Sequence, residues 1–210
     1  MSAKHYGTIG IVGICGWLLA YIALHLLNPD SGVIDAPLSD YALGDYGWLN
    51  GVANFSAAVG LIAIALGLRL TLAPGKRVTA SWVLIFASGV GFVVSGLFAT
   101  DGVEATEMTG EGIVHILAFL VTALSSIVAV WMLRGVFSRD SGYGYLSRTE
   151  HWFAVLITIS FVGAMALGEV AGGLVQRVFA VVMGAWWFVL AGSVRRSEMP
   201  QPVGEHITRP

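Results

Sequence analysis

Apolar and polar positions in this chain do not alternate; they come in blocks. Six long apolar blocks cover about residues 8–27, 48–70, 80–100, 113–133, 152–168 and 174–194. A helix that crosses a hydrocarbon core of about 30 Å needs roughly 20 such residues. In lipid the backbone can satisfy its own polar groups only as helix or closed barrel. Barrel strands would alternate over about 10 residues, whereas these runs are continuous. The pattern predicts an all-α, polytopic membrane protein: six transmembrane helices in one bundle, a single integral membrane domain over residues 1–210. The first block follows Lys4, as a signal peptide would. It is too long for an h-region, and Asn28-Pro29-Asp30 is a poor cleavage site, so it reads as a membrane helix.

Composition agrees. The chain is 56% apolar and 11% charged, against about 25% charged in soluble domains. A net charge of −2 gives no basic footprint for nucleic acid. The single cysteine, Cys15, excludes an intrachain disulfide and a multi-cysteine metal site. With the N-terminus inside, ten of the eleven basic residues fall on the cytoplasmic side and only Arg177 on the other. The positive-inside rule therefore predicts N-in and C-in topology in the cell membrane, with a short cytoplasmic tail from 195 to 210. Trp48, Trp82, Trp131 and Trp152 lie at block ends, as interfacial belts require. Gly10, Gly13 and Gly16 share one helix face, as do Ser88, Gly91 and Ser95. Such stripes let helices approach within or between chains, so they leave the oligomeric state open.

The outer side is acidic. Asp30, Asp35, Asp40, Asp45, Asp101, Glu104, Glu107, Glu111 and Glu169 are nine of the thirteen carboxylates. Several sit where a helix meets the membrane, and ionisable residues there call for a reason. Asp101 ends the third block. Glu111 and His115 are four apart and share a helix face at the start of the fourth. Tyr21 and His25, and Asn50 and Asn54, repeat that spacing. Arg177 enters the sixth block by a turn, with Glu169 or an outer aspartate as the expected ion-pair partner. The loop from Asn28 to Gly47 predicts a short helix capped by Ser39 or Asp40, with Leu38, Tyr41 and Leu43 on its apolar face.

Pro37-Leu38-Ser39-Asp40-Tyr41-Ala42-Leu43-Gly44 resembles the signature of a prokaryotic six-helix membrane family known as domain of unknown function 998. Gly96-Leu97-Phe98-Ala99-Thr100-Asp101 is similar to that family's run closing the third span, where proline more often stands at Ala99. His115 and Gly173-Leu174-Val175-Gln176-Arg177 also match, and the resemblance extends from about Gly7 to Val194. It implies the six-helix architecture and an outer cluster of Asp40, Asp101, His115 and Arg177. It implies no reaction.

Four functions are compatible with these residues. The first is binding of a small ligand or lipid headgroup in an outward-facing polar pocket made by Ser39, Asp40, Asp101, His115, Glu169 and Arg177. There the arginine would take a phosphate. The second is a metal-dependent, membrane-embedded lipid hydrolase, with Zn²⁺ on Asp101, Glu111 and His115. The third is a haem or quinone protein using His25 and His115. The fourth is an accessory or structural subunit without a site. The lipid bilayer is the partner common to all four.

Overall fold

The computed structural model describes residues 1–102, 105–140 and 143–197; the side chain of Glu169 is not described. The expected tail lies outside the described residues from 198 onward. Among the described residues the chain forms six helices long and apolar enough to cross a membrane. They are α1 (Ala3–Leu27), α2 (Gly47–Thr71), α3 (Lys76–Leu97), α4 (Gly110–Phe137), α5 (Gly144–Gly168) and α6 (Val170–Arg196). The apolar blocks located all six. They underestimated the helices, because helical hydrogen bonding runs past the charged residues that end a hydropathy block. Thus α5 includes Arg148 and Glu150, and α4 includes Glu111 and Arg134. The start of α4 is fixed by Thr109, whose hydroxyl accepts from the Gly112 N–H at 3.0 Å.

Between α5 and α6 the helical pattern runs almost unbroken, and only Ala171 leaves it, at φ −151° and ψ 43°. That one residue reverses the chain. The Trp186 Nε1–H donates to Glu150 Oε2 at 2.8 Å, and the Phe161 and Phe179 rings lie 5.7 Å apart. Of this hairpin, α6 turns inward: Phe179, Met183, Trp186, Trp187, Leu190, Ala191 and Val194 are buried. By contrast, α5 lies at the periphery, with Leu156, Ile159, Val162 and Met165 exposed. Trp186 and Trp187 are core residues, not a surface for partner helices.

One end of the bundle carries the start of α1 and the end of α6, where Gly7 abuts the Arg195 backbone. The other end, the loop end, carries residues 28–46. There Leu38–Leu43 forms a short 3₁₀ helix. The expected cap does not form: the capping position is Pro37, with no side-chain hydrogen bond. Leu38 and Tyr41 are buried as expected, but Leu43 is exposed.

The small-residue stripes pack inside this one chain. A Cβ on Gly13 would come within 2.7 Å of Gly60 Cα, so α1 and α2 cross backbone to backbone. A Cβ on Gly91 would meet the Ala118 carbonyl oxygen at 2.8 Å. Beside it Ser88 Oγ contacts Ser126 Oγ at 2.9 Å and donates to the Thr122 carbonyl at 3.2 Å. Gly91→Leu should therefore force α3 from α4 and destabilise the protein by about 1–3 kcal/mol, read as a lower melting temperature in detergent. Gly163→Leu, at a position where a Cβ meets nothing within 4 Å, should leave the melt unchanged.

Candidate functional site

The loop end is organised by Arg177. A turn into α6, its Nε donates to His25 Nε2 at 2.8 Å. One terminal nitrogen donates to the carbonyls of Val33 at 3.1 Å and Ala36 at 2.7 Å. The other donates to the Tyr41 hydroxyl at 3.2 Å, with the guanidinium 5.8 Å from that ring's centroid. A guanidinium only donates, so His25 Nε2 is the acceptor. His25 is then the neutral Nδ1–H tautomer, and it donates to the Tyr21 carbonyl at 2.7 Å. Both nitrogens of His25 are thus occupied, which removes it as a haem ligand in this arrangement.

The start of α6 reinforces the clamp. The Leu174 N–H donates to the Ile34 carbonyl at 3.0 Å. Gln176 Oε1 accepts from the Leu38 N–H at 2.5 Å. At Gly173 a Cβ would meet the Ala36 carbonyl oxygen at 2.5 Å, so only glycine lets the loop lie this close. The Gly-Leu-Val-Gln-Arg run is thus the seat on which residues 33–41 rest.

Asp101 is likewise committed. Its carboxylate accepts from Thr109 N at 2.9 Å and Thr109 Oγ1 at 2.7 Å. This ties the end of α3 to the N-terminus of α4, where a carboxylate is favoured by the helix dipole. Glu111 is exposed, while His115 is buried and its Nδ1 lies 2.9 Å from the Phe98 carbonyl oxygen. A carbonyl only accepts, so Nδ1 carries a hydrogen and donates it to Phe98. Asp101, Glu111 and His115 do not form a metal site. Among the described residues no group of three or more His, Cys, Asp or Glu is placed to hold a metal.

Beneath the 3₁₀ helix lies a cavity of about 80 Å³. Leu38, Ser39 and Gln176 line its loop side, and Asn50, Asn54, Ser95 and His115 its sides. Thr122, Met183, Trp17 and Trp187, all near the middle of their helices, also line it. The indoles of Trp17 and Trp187 meet edge to face, with centroids 5.9 Å apart. Tyr21 donates its hydroxyl to Asn50 Oδ1 at 3.0 Å, and Asn54 Nδ2 donates to the Asn50 carbonyl at 3.0 Å. Two buried indole nitrogens bordering the cavity, Trp17 Nε1 and Trp187 Nε1, have no hydrogen-bond partner among the described residues, and Asn50 Nδ2, Asn54 Oδ1 and His115 Nε2 take no part in the hydrogen bonds just described.

Of the six residues expected to make the pocket, Ser39 and His115 line this cavity. Asp40 sits half-buried on the 3₁₀ helix and is not among the lining residues. Arg177 and Asp101 serve as fasteners beside it. Glu169, one expected partner of Arg177, has its side chain outside the described residues. The charges singled out the right end of the molecule but not the groups that face the space. Those are Asn50, Asn54 and Gln176, and their signal was two amides four residues apart in an apolar span. Arg177→Lys, a point charge in place of a fork, should cost about 1–3 kcal/mol. The measurement is amide hydrogen exchange, faster across residues 30–46 and unchanged in α2 to α4.

No curated protein and no solved structure matches the chain. A family model described as Protein of unknown function (DUF998) matches residues 11–193, nearly its whole length. That match covers well over half of the chain, so the chain belongs to the DUF998 family.

Proposed function

We propose that this multi-pass membrane protein is a binding protein whose loop-end cavity receives an uncharged polar group of a small molecule or lipid. The observation that carries this reading is the set of buried Asn50, Asn54 and His115. Each lines one cavity and keeps a polar atom outside the hydrogen bonds described above, and the buried indole N–H groups of Trp17 and Trp187 beside them have no partner among the described residues. Buried polar groups are ordinarily paired, and two indole N–H groups, an amide nitrogen, an amide oxygen and an imidazole nitrogen together offer both donors and acceptors. No Asp, Glu, Lys or Arg is among the described lining residues. A charged headgroup would lose its hydration there without a counter-charge, so the ligand is neutral. The zinc-hydrolase alternative lacks a comparable constellation among the described residues.

In this reading the loop end faces outward, on the strength of the ten basic residues assigned to the opposite side. Val33→Cys in a Cys15→Ala background should be labelled by a membrane-impermeant maleimide in intact cells. Protection until the cells are opened would reverse the orientation.

The binding reading predicts that protein drawn from its native membrane in mild detergent retains a stoichiometric, neutral, non-covalent adduct by native mass spectrometry. Asn54→Leu, which turns the cavity wall apolar, should lose the adduct and melt no lower than wild type stripped of its adduct, since groups kept for binding are often locally costly. No adduct in either protein, with Asn54→Leu destabilised by more than about 2 kcal/mol, would make the asparagines packing elements of an accessory subunit.

A further inference from the structure

A second space adjoins the cavity. It is a groove of about 220 Å³ between α4, α5 and the start of α6, and it shares Ser39, His115, Phe119 and Gln176 with the cavity. Its remaining wall is mostly apolar or small: Ile116 from α4, Ala164, Met165 and Gly168 from α5, and Val175 from α6. Ile116 and Met165 are exposed on the side of the bundle, 42% and 54%, so the groove opens sideways toward lipid. Gly168 independently marks the opening, because a Cβ built there meets nothing within 4 Å. Ala164 and Gly168 follow one another at four-residue spacing on α5, and Gly172, past the reversal at Ala171, also lines this wall. The groove is thus kept free of side-chain bulk where α5 would otherwise close on α4.

Resting on the binding reading above, we infer that the ligand is an uncharged single-chain amphiphile that enters laterally from the bilayer between α4 and α5. Its hydroxyl- or ester-bearing head lies against Asn50, Asn54 and His115, and its hydrocarbon chain lies in the groove. Three observations fix this class. The cavity supplies donors and acceptors but no charge among the described residues. The groove supplies an apolar wall and likewise no Asp, Glu, Lys or Arg among the described residues. The two share His115 and Ser39, so one molecule can occupy both. An apolar cavity of about 150 Å³ takes up benzene, so the groove is large enough for a stretch of chain.

The test is the thermal melt of the full chain, purified in detergent and washed until native mass spectrometry shows no adduct, with three probes: monooleoylglycerol, oleoyl-lysophosphatidylcholine and glycerol. Monooleoylglycerol well above its dissociation constant should raise the melting temperature by several degrees. The zwitterionic lipid should give a markedly smaller rise, and glycerol none. Gly168→Trp places an indole in the open groove and should abolish the rise while leaving the ligand-free melt intact. If that variant proves unstable, Gly168→Leu serves in its place. No rise with monooleoylglycerol overturns the inference, as does an equal rise in the groove-filled variant. An equal rise with lysophosphatidylcholine overturns the neutral head. An equal rise with glycerol overturns the chain in the groove but leaves the binding reading standing, and loss of the native adduct remains that reading's separate test.

Discussion

Helices in a bilayer gain little from setting apolar side chains against one another, because lipid solvates those side chains equally well. The bundle must therefore be held by close backbone approach and by internal hydrogen bonds, and every other feature is arranged around that constraint. The contact of Gly13 with Gly60 brings α1 onto α2. Gly91, with the Ser88 and Ser126 hydroxyls, does the same for α3 and α4. Where residues are small and nothing approaches, as at Gly168, the helices stand apart. The close glycines thus map the tight seams, while open ones occur both along the groove, at Gly168, and away from it, at Gly163.

The same constraint explains Arg177. Residues 28–46 lie at the end of the bundle and need a reason to stay folded against it, since their backbone carbonyls could equally take water. A guanidinium offers five donors in fixed geometry. Here four acceptors from three chain segments use it: His25, the Val33 and Ala36 carbonyls, and Tyr41. Arg177, expected from sequence to meet a phosphate, here clasps the segment whose Leu38 and Ser39 border the cavity. Asp101 has the same character. It looks like a ligand in sequence and acts as a tie between two helix ends.

The fold was legible because span length and block hydropathy are properties of contiguous residues. All six helices follow from them, as does the role of the small-residue stripes. The 3₁₀ segment was legible in position and in its buried Leu38 and Tyr41, though not in its cap. The site was legible only in part, because a pocket is made by residues from different helices and no single segment records which atoms face inward. Charge drew attention to Asp40, Asp101, Glu169 and Arg177, whereas the cavity is bordered by amides, hydroxyls and aromatic rings. The Asn50 and Asn54 pair was visible at helical spacing but carried less apparent chemistry than the acids. Glu150, fully buried and paired on one oxygen with Trp186, was hidden among the charged residues that flank a span.

The interior of this bundle contains its own control for whether the cavity's polar groups are structural. Between α3 and α4 lies a second set of polar side chains, Ser88, Thr122 and Ser126, and it is closed on itself. Ser88 Oγ reaches the Leu84 and Thr122 carbonyls and Ser126 Oγ, and Thr122 Oγ1 returns to the Ser88 carbonyl at 3.3 Å. These residues pin two helices, and although Thr122 also borders the cavity, its hydroxyl is paired within the set. Asn50, Asn54 and His115 behave differently. Each uses one polar atom to fix its own orientation, to Tyr21, to the Asn50 backbone and to Phe98, and keeps another outside those bonds beside open space. A half-satisfied polar set is worse for stability than either a closed network or an apolar wall. A fold that closes its polar groups fully at the seam and leaves them open at the cavity has the arrangement expected of a site completed by another molecule.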